Sequence, residues 1–198
     1  MPPFKTIFFG LVMVLYLWVP YAMISHQEKI WTEGEVHRFR LVPIDPYDAF
    51  RGNYVALTFG LIQFDKPASE AAYESGQEVY LSIGKDSLGY SYFSGLSLKV
   101  PTEENYVTSN IAYSNDTKIT VRLPENMHRF YMNETLAPLA ETLARRQRRF
   151  NRNPDETVIP VFAEVSCLAG EVQIRDMYFG EQPIATYLRE QIALEAKE

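Results

Sequence analysis

Apolar residues along this chain fall into two regimes. From Thr6 to Ile24 no charged side chain occurs, in the run TIFFGLVMVLYLWVPYAMI. Beyond residue 35 apolar and polar positions alternate in short bursts. At helical rise the uncharged run covers about 28 Å, close to the ~30 Å hydrocarbon thickness of a bilayer. Tyr16, Trp18 and Tyr21 stand in its later half, where aromatic rings settle at headgroup level. Pro20 falls in the last turns, a place a membrane helix tolerates. The stretch Tyr21 to Gln27 has no clean pair of small residues spaced for cleavage, and the run is longer than most signal-peptide cores. Residues 1–25 are therefore expected to be an uncleaved transmembrane anchor, 26–35 a polar linker, and 36–198 a single domain.

In the second regime the period is two. His37, Phe39 and Leu41 alternate, then Val55, Leu57, Phe59 and Leu61, then Val79, Leu81 and Ile83, then Ile119, Val121 and Leu123. Val158–Cys167 and Val172–Phe179 read as a hairpin about Ala169-Gly170. The Tyr-, Ser- and Gly-rich stretch from Ser87 to Tyr113 is expected to hold further strands. Short alternating runs separated by Gly, Asn, Asp and Pro predict antiparallel strands. Two helices are expected. Leu136, Leu139, Ala140, Leu143, Ala144, Gln147 and Phe150 follow helical spacing from about Thr135 to Phe150, and a weaker helix starts near Tyr187. The fold class is thus an N-terminal transmembrane helix plus a β-rich α+β domain, mainly antiparallel sheet, with one amphipathic helix and a short C-terminal helix.

Composition narrows the function classes. The chain has 198 residues, 46% hydrophobic and 22% charged, the balance of a globular protein. A net charge of -6 argues against general nucleic-acid binding, which needs clustered cations against phosphate. Cys167 is the only cysteine, so no intrachain disulfide forms; in VFAEVSC it shares an apolar face with Val161, Ala163 and Val165 and reads as a buried thiol. His26, His37 and His128 have no metal-ligand spacing, and Asp45 and Asp48 lack the further oxygens of a calcium loop. Neither a phosphate-binding Gly loop nor a Ser nucleophile elbow occurs. No cofactor or metal is expected.

The densest chemistry lies in PIDPYDAFRGNYVALTF, residues 43–59. Asp45-Pro46 and Asp48 are turn formers, because short carboxylates accept hydrogen bonds from nearby amides. Gly52-Asn53 suits a tight entry into the following strand. Alternation there places Tyr54 opposite Val55, Leu57 and Phe59. Arg51 and Tyr54 either bind an anionic group or tie the turn to the sheet, and the second is favoured because side-chain bonds at turns go mostly to backbone. Arg129, Tyr131 and Glu134 pose the same choice, Glu134 suiting the start of a helix. Arg145, Arg146, Arg148, Arg149 and Arg152 crowd the end of the expected helix. Cations there complement the helix dipole, and a cluster of this density also suits anionic lipid headgroups or an acidic partner.

The 43–59 segment resembles the GDYXXLXY family of bacterial membrane-associated proteins. Asp45-Pro46, Asp48, Arg51-Gly52, Tyr54 and Leu57 match its pattern, while Asn53 stands for Asp and Phe59 for the final Tyr. RFYMNE, residues 129–134, resembles the family's Arg-Tyr-Phe-Val-Pro-Glu element, with Asn133 for Pro. Gly170 and Gly180 in the terminal hairpin fit the same layout. The resemblance carries no biochemical activity with it. It implies a single-pass protein associated with a larger polytopic membrane protein. An amide at Asn53 cannot act as a carboxylate base or a strong metal ligand.

Two functions follow as expectations. The leading one is a non-enzymatic accessory or binding protein, anchored in the membrane and partnered with a polytopic membrane protein. The alternative is a membrane-anchored envelope hydrolase whose nucleophile and base are united only by the fold. For orientation, Lys5 flanks one end of the apolar run, and Lys29, Arg38 and Arg40 mixed with Glu28, Glu33 and Glu35 the other, so the charge count does not decide. Large domains behind an N-terminal anchor translocate largely regardless of charge. The domain is therefore expected on the extracytoplasmic side of the cytoplasmic membrane.

Overall fold

The computed structural model of the chain describes residues 3–41, 54–57, 59, 62–67, 73–102, 105–133, 136 and 160–195. The expected 135–150 helix, apart from Leu136, lies outside the described residues. So do Asp45, Asp48, Arg51, Gly52, Asn53, Glu134, Arg145, Arg146, Arg148, Arg149 and Arg152.

Helix α1 spans Pro3–Glu33, 31 residues with Pro20 inside. From Thr6 it is long and apolar enough to cross a membrane, and its side chains up to Ile24 are exposed, as on a helix made for lipid. The stretch read as a polar linker is different in kind: the helix runs through it without a break to Glu33. The reason is packing, since Ile30 is 2% exposed against the domain. Gly34 then ends the helix. Its amide donates to the Ile30 carbonyl at 3.1 Å. A Cβ there would lie 2.4 Å from that carbonyl oxygen and 3.1 Å from that of Cys167, so only glycine fits.

The strands are β1 Glu35–Arg40, β2 Tyr54–Ala56, β3 Gln63–Asp65, β4 Glu78–Lys85, β5 Ser91–Ser97, β6 Tyr106–Ser114, β7 Lys118–Arg122, β8 Arg129–Tyr131, β9 Val161–Leu168, β10 Glu171–Phe179 and β11 Gln182–Pro183. Helix α2, Ile184–Glu195, follows and begins a few residues before the expected start. Among the described residues nine strands form one sheet, in the order β11-β10-β9-β1-β5-β4-β6-β7-β3. Every pairing in it is antiparallel except β1 with β5. Register shifts at Ser82/Ile83, Ile111/Tyr113 and Ile174/Asp176 mark bulges, which bend and twist strands.

The sheet coils far enough that non-neighbouring strands touch. The β9–β10 turn reaches β6, where the Thr108 amide donates to the Gly170 carbonyl at 2.8 Å. Ala169 and Gly170 have φ of 50° and 84°, the two positive values a two-residue hairpin of this twist needs. The core inside the coil holds Phe39, Val79, Leu81, Val107, Ile111, Ile119, Val121, Val165, Val172 and Met177. The alternating residues expected on β1, β4 and β7 are all inside or packed against it, apart from His37, which is buried but polar.

Candidate functional site

The two segments that carry the family resemblance lie far apart in the chain and meet in space. Strand β2 pairs antiparallel with β8, Tyr54 opposite Tyr131, Val55 opposite Phe130 and Ala56 opposite Arg129. The Leu57 amide extends the ladder by donating to the His128 carbonyl at 2.9 Å. Together they make a two-stranded sheet separate from the large one. Leu57 is 4% exposed, and Phe59 packs edge-on against Phe39 at 5.9 Å between ring centroids. The Phe that stands for the family's final Tyr therefore packs its ring against the core.

Beside this small sheet lies a cleft of about 430 Å³, lined by Arg129, Phe130 and Tyr131 of β8, by Glu125 and Asn126 of the 3-10 turn before it, by Gln173, Ile174 and Arg175 of β10, and by Gln27 of α1. Strand β10 supplies its part through a bulge. Val172 and Ile174 turn inward before it, Met177 and Phe179 after it, so Arg175 is the residue at which the phase slips. The Arg175 guanidinium reaches α1, where Nη2 donates to the Trp31 carbonyl, and it lies 5.2 Å from the centre of the Trp31 ring. Its Nε–H is buried without a hydrogen-bond partner, as is Gln173 Oε1. Arg129 faces Glu125 at 3.7 Å. Neither Arg175 nor Gln27 carries a motif; the slip in alternation between Ile174 and Met177 is the sequence signal that marks Arg175.

A second hollow of about 370 Å³ is lined by Phe39, Phe59, Phe93, Tyr90, Ser91 and neighbours, with Arg40 and Asp86 at its polar side. Behind it, Ser91 Oγ lies 3.4 Å from His37 Nδ1. Burial lowers the His37 pKa below its ordinary value, and Glu35 opposes that shift. Glu35 is itself held below the usual carboxylate range, chiefly by its hydrogen bond from Lys85. A neutral imidazole beside a hydroxyl has the parts of a nucleophile and base. His37 Nε2, however, has no partner to orient it, and the ring is 1% exposed.

The other sequence candidates separate. His26 Nε2 meets Glu171 at 2.6 Å, and His128 Nε2 donates to the Leu123 carbonyl at 3.3 Å. Burial pushes the Cys167 thiol up to about 11, and its S–H donates to the Tyr106 carbonyl at 2.9 Å, which makes it packing rather than a nucleophile. Among the described residues no group of three or more His, Cys, Asp or Glu side chains gathers in the way a metal ion needs.

A helix able to span a membrane, joined without a break to a coiled antiparallel sheet whose two motif strands pair beside it, defines a class of helix-anchored β domain. Within that class, the model of the family described as GDYXXLXY protein matches residues 16–177, most of the chain. The chain belongs to the GDYXXLXY family. Comparison with curated proteins gave no match, and comparison with solved structures gave none.

Proposed function

We propose that this protein is a single-pass, non-enzymatic accessory protein that binds a polytopic membrane protein from the extracytoplasmic side. The observation that carries this reading is the join between anchor and domain. Ile30 is buried in the domain, Gly34 is locked onto the helix end, and Arg175 and Glu171 grip Trp31 and His26. A catalytic domain acting on soluble substrates gains nothing from so close a grip on its anchor. A docking domain does, because a fixed orientation over the bilayer spares the entropy of ordering it on binding. The β2–β8 sheet then faces partners at membrane level, with Tyr131 68% exposed on it. The Arg145, Arg146, Arg148, Arg149 and Arg152 cluster supplies a further acidic-partner or headgroup contact on sequence grounds.

The test is a photo-reactive residue in place of Tyr131 in the intact protein, cross-linked in native membranes and isolated in mild detergent. The expected product is an adduct with an integral membrane protein of several spans. Adducts with soluble proteins alone would contradict the proposal. The hydrolase reading has one observation in its favour, the Ser91–His37 pair. A fluorophosphonate probe distinguishes it: the accessory reading expects no labelling, whereas labelling that Ser91→Ala abolishes would establish a serine enzyme.

A further inference from the structure

We infer that the cleft between β8, β10 and the foot of α1 is a binding site for a phosphate-bearing anion, which in the membrane is the headgroup of an acidic phospholipid. The inference rests on α1 spanning the bilayer and is independent of the proposed protein partner. Its first support is the donor set. Arg129 and Arg175 line the cleft, with the neutral amides of Gln27, Asn126 and Gln173 around them. Among the described lining residues the carboxylate is Glu125, 83% exposed and 3.7 Å from Arg129.

The second support is the state of Arg175. The bulge in β10 turns it towards α1, where the Trp31 carbonyl and ring hold the guanidinium in place. Its Nε–H is left buried and unbonded. A buried donor of a charged group is costly to leave unmade, and the planar guanidinium fork matches the oxygens of a phosphate. Gln173 Oε1 is also unbonded. Turning that amide over, an assignment which heavy-atom positions do not fix, presents its NH₂ as another donor.

The third support is depth. Gln27 follows Ile24, the last residue of the uncharged run, by three positions, about 4.5 Å along the helix axis. The polar layer on each side of a bilayer is roughly 5–7 Å thick. The Gln27 end of the cleft therefore opens in the layer where phosphates lie, on whichever side the domain stands, and Arg175, held at Trp31, lies about 6 Å further out along the helix.

The experiment uses the full chain in nanodiscs, with Trp18→Phe so that Trp31, in contact with Arg175, is the only reporting tryptophan. In phosphatidylcholine discs with increasing phosphatidylglycerol, Trp31 emission should change and saturate. Arg129→Gln should weaken the response about fivefold, the effect of one lost cation near an anionic surface. Arg175→Lys keeps the charge but loses the fork, and should weaken it at least as much. Thermal melts establish that both variants are folded, and Arg129→Gln, which leaves the Arg175 hold on Trp31 in place, covers a failure of the Arg175 variant. A second arm titrates inorganic phosphate into discs of phosphatidylcholine alone. A response there, with none to phosphatidylglycerol, keeps the anion site but assigns it to a soluble phosphate. No response in either arm, or an undiminished phosphatidylglycerol response in a folded Arg129→Gln protein, overturns the inference.

Discussion

Leu57 joins the motif strand to the core, and it is almost wholly buried. Leu57→Ala should destabilise the protein by about 2–5 kcal/mol, the range for a buried leucine whose cavity only partly collapses. An unchanged denaturation midpoint would remove Leu57 from the core. Gly170 is constrained in a different way. Its φ is 84°, and a Cβ would come within 2.4 Å of Thr108 Oγ1 and 2.5 Å of Tyr106 Cε2. Gly170→Ala should cost more than the roughly 1–2 kcal/mol of the left-handed backbone alone, read as a lower midpoint in the same assay. His37 gives a pH signature. Its folded pKa is lowered from 6.5, so below pH 6.5 the unfolded chain takes up a proton that the folded chain refuses. Stability is full above that pH and falls as pH drops towards the folded pKa. Glu35, also lowered, adds a loss of the same sign only below its ordinary value of 4.5. Melting temperature should therefore decline between about pH 7 and 5 in the parent, and His37→Phe should flatten that decline. An equal slope in both would contradict the burial of a neutral imidazole.

Strands with several alternating residues were legible from sequence, because one buried face imposes a period of two. That holds for β1, β4, β7 and the β9–β10 hairpin, where Ala169-Gly170 also marks the turn. Strands β3 and β8 are three residues long and β11 two, too short for any period to show. Pairing is the other illegible part. Both motif segments stood out in the sequence, yet nothing in either says that Val55 lies opposite Phe130. Likewise Gln27 and Arg175 enter the cleft through a helix end and a bulge, not through a motif. The 26–35 stretch, read as a linker from its polar composition, is helical to Glu33, and a single apolar side chain, Ile30, is buried there. Limited proteolysis of the reconstituted protein should leave this segment intact, since helical backbone packed against a sheet resists cleavage. Ile30→Asp should open it to cleavage between residues 25 and 35. Rapid cleavage of the parent there would favour a flexible linker.

For the whole molecule, topology and attitude are each measurable. A reporter fused after Glu198 should be active only on the outer side of the cytoplasmic membrane, and activity confined to the cytoplasm would reverse the proposed orientation. Attitude follows from the strands beside α1. Glu171 meets His26, Arg175 meets Trp31 and Cys167 closes on Gly34, so β9 and β10 pack on the last turns of α1. Strand β1 starts at Glu35, directly after that helix end. Its far end, Arg40, meets Asp86, next to the exposed Leu88. Tyr131 instead lines the cleft with Gln27. The central claim is that anchor and domain form one unit that holds the motif sheet at the lipid surface. Nitroxide labels at positions 131 and 88, in full-length Cys167→Ser protein reconstituted with nickel-chelating lipid, measure it directly. Relaxation by the headgroup nickel should be stronger at 131, which shares the cleft with Gln27, than at 88, beside the far end of β1. Equal relaxation at both positions, or stronger relaxation at 88, would contradict the account.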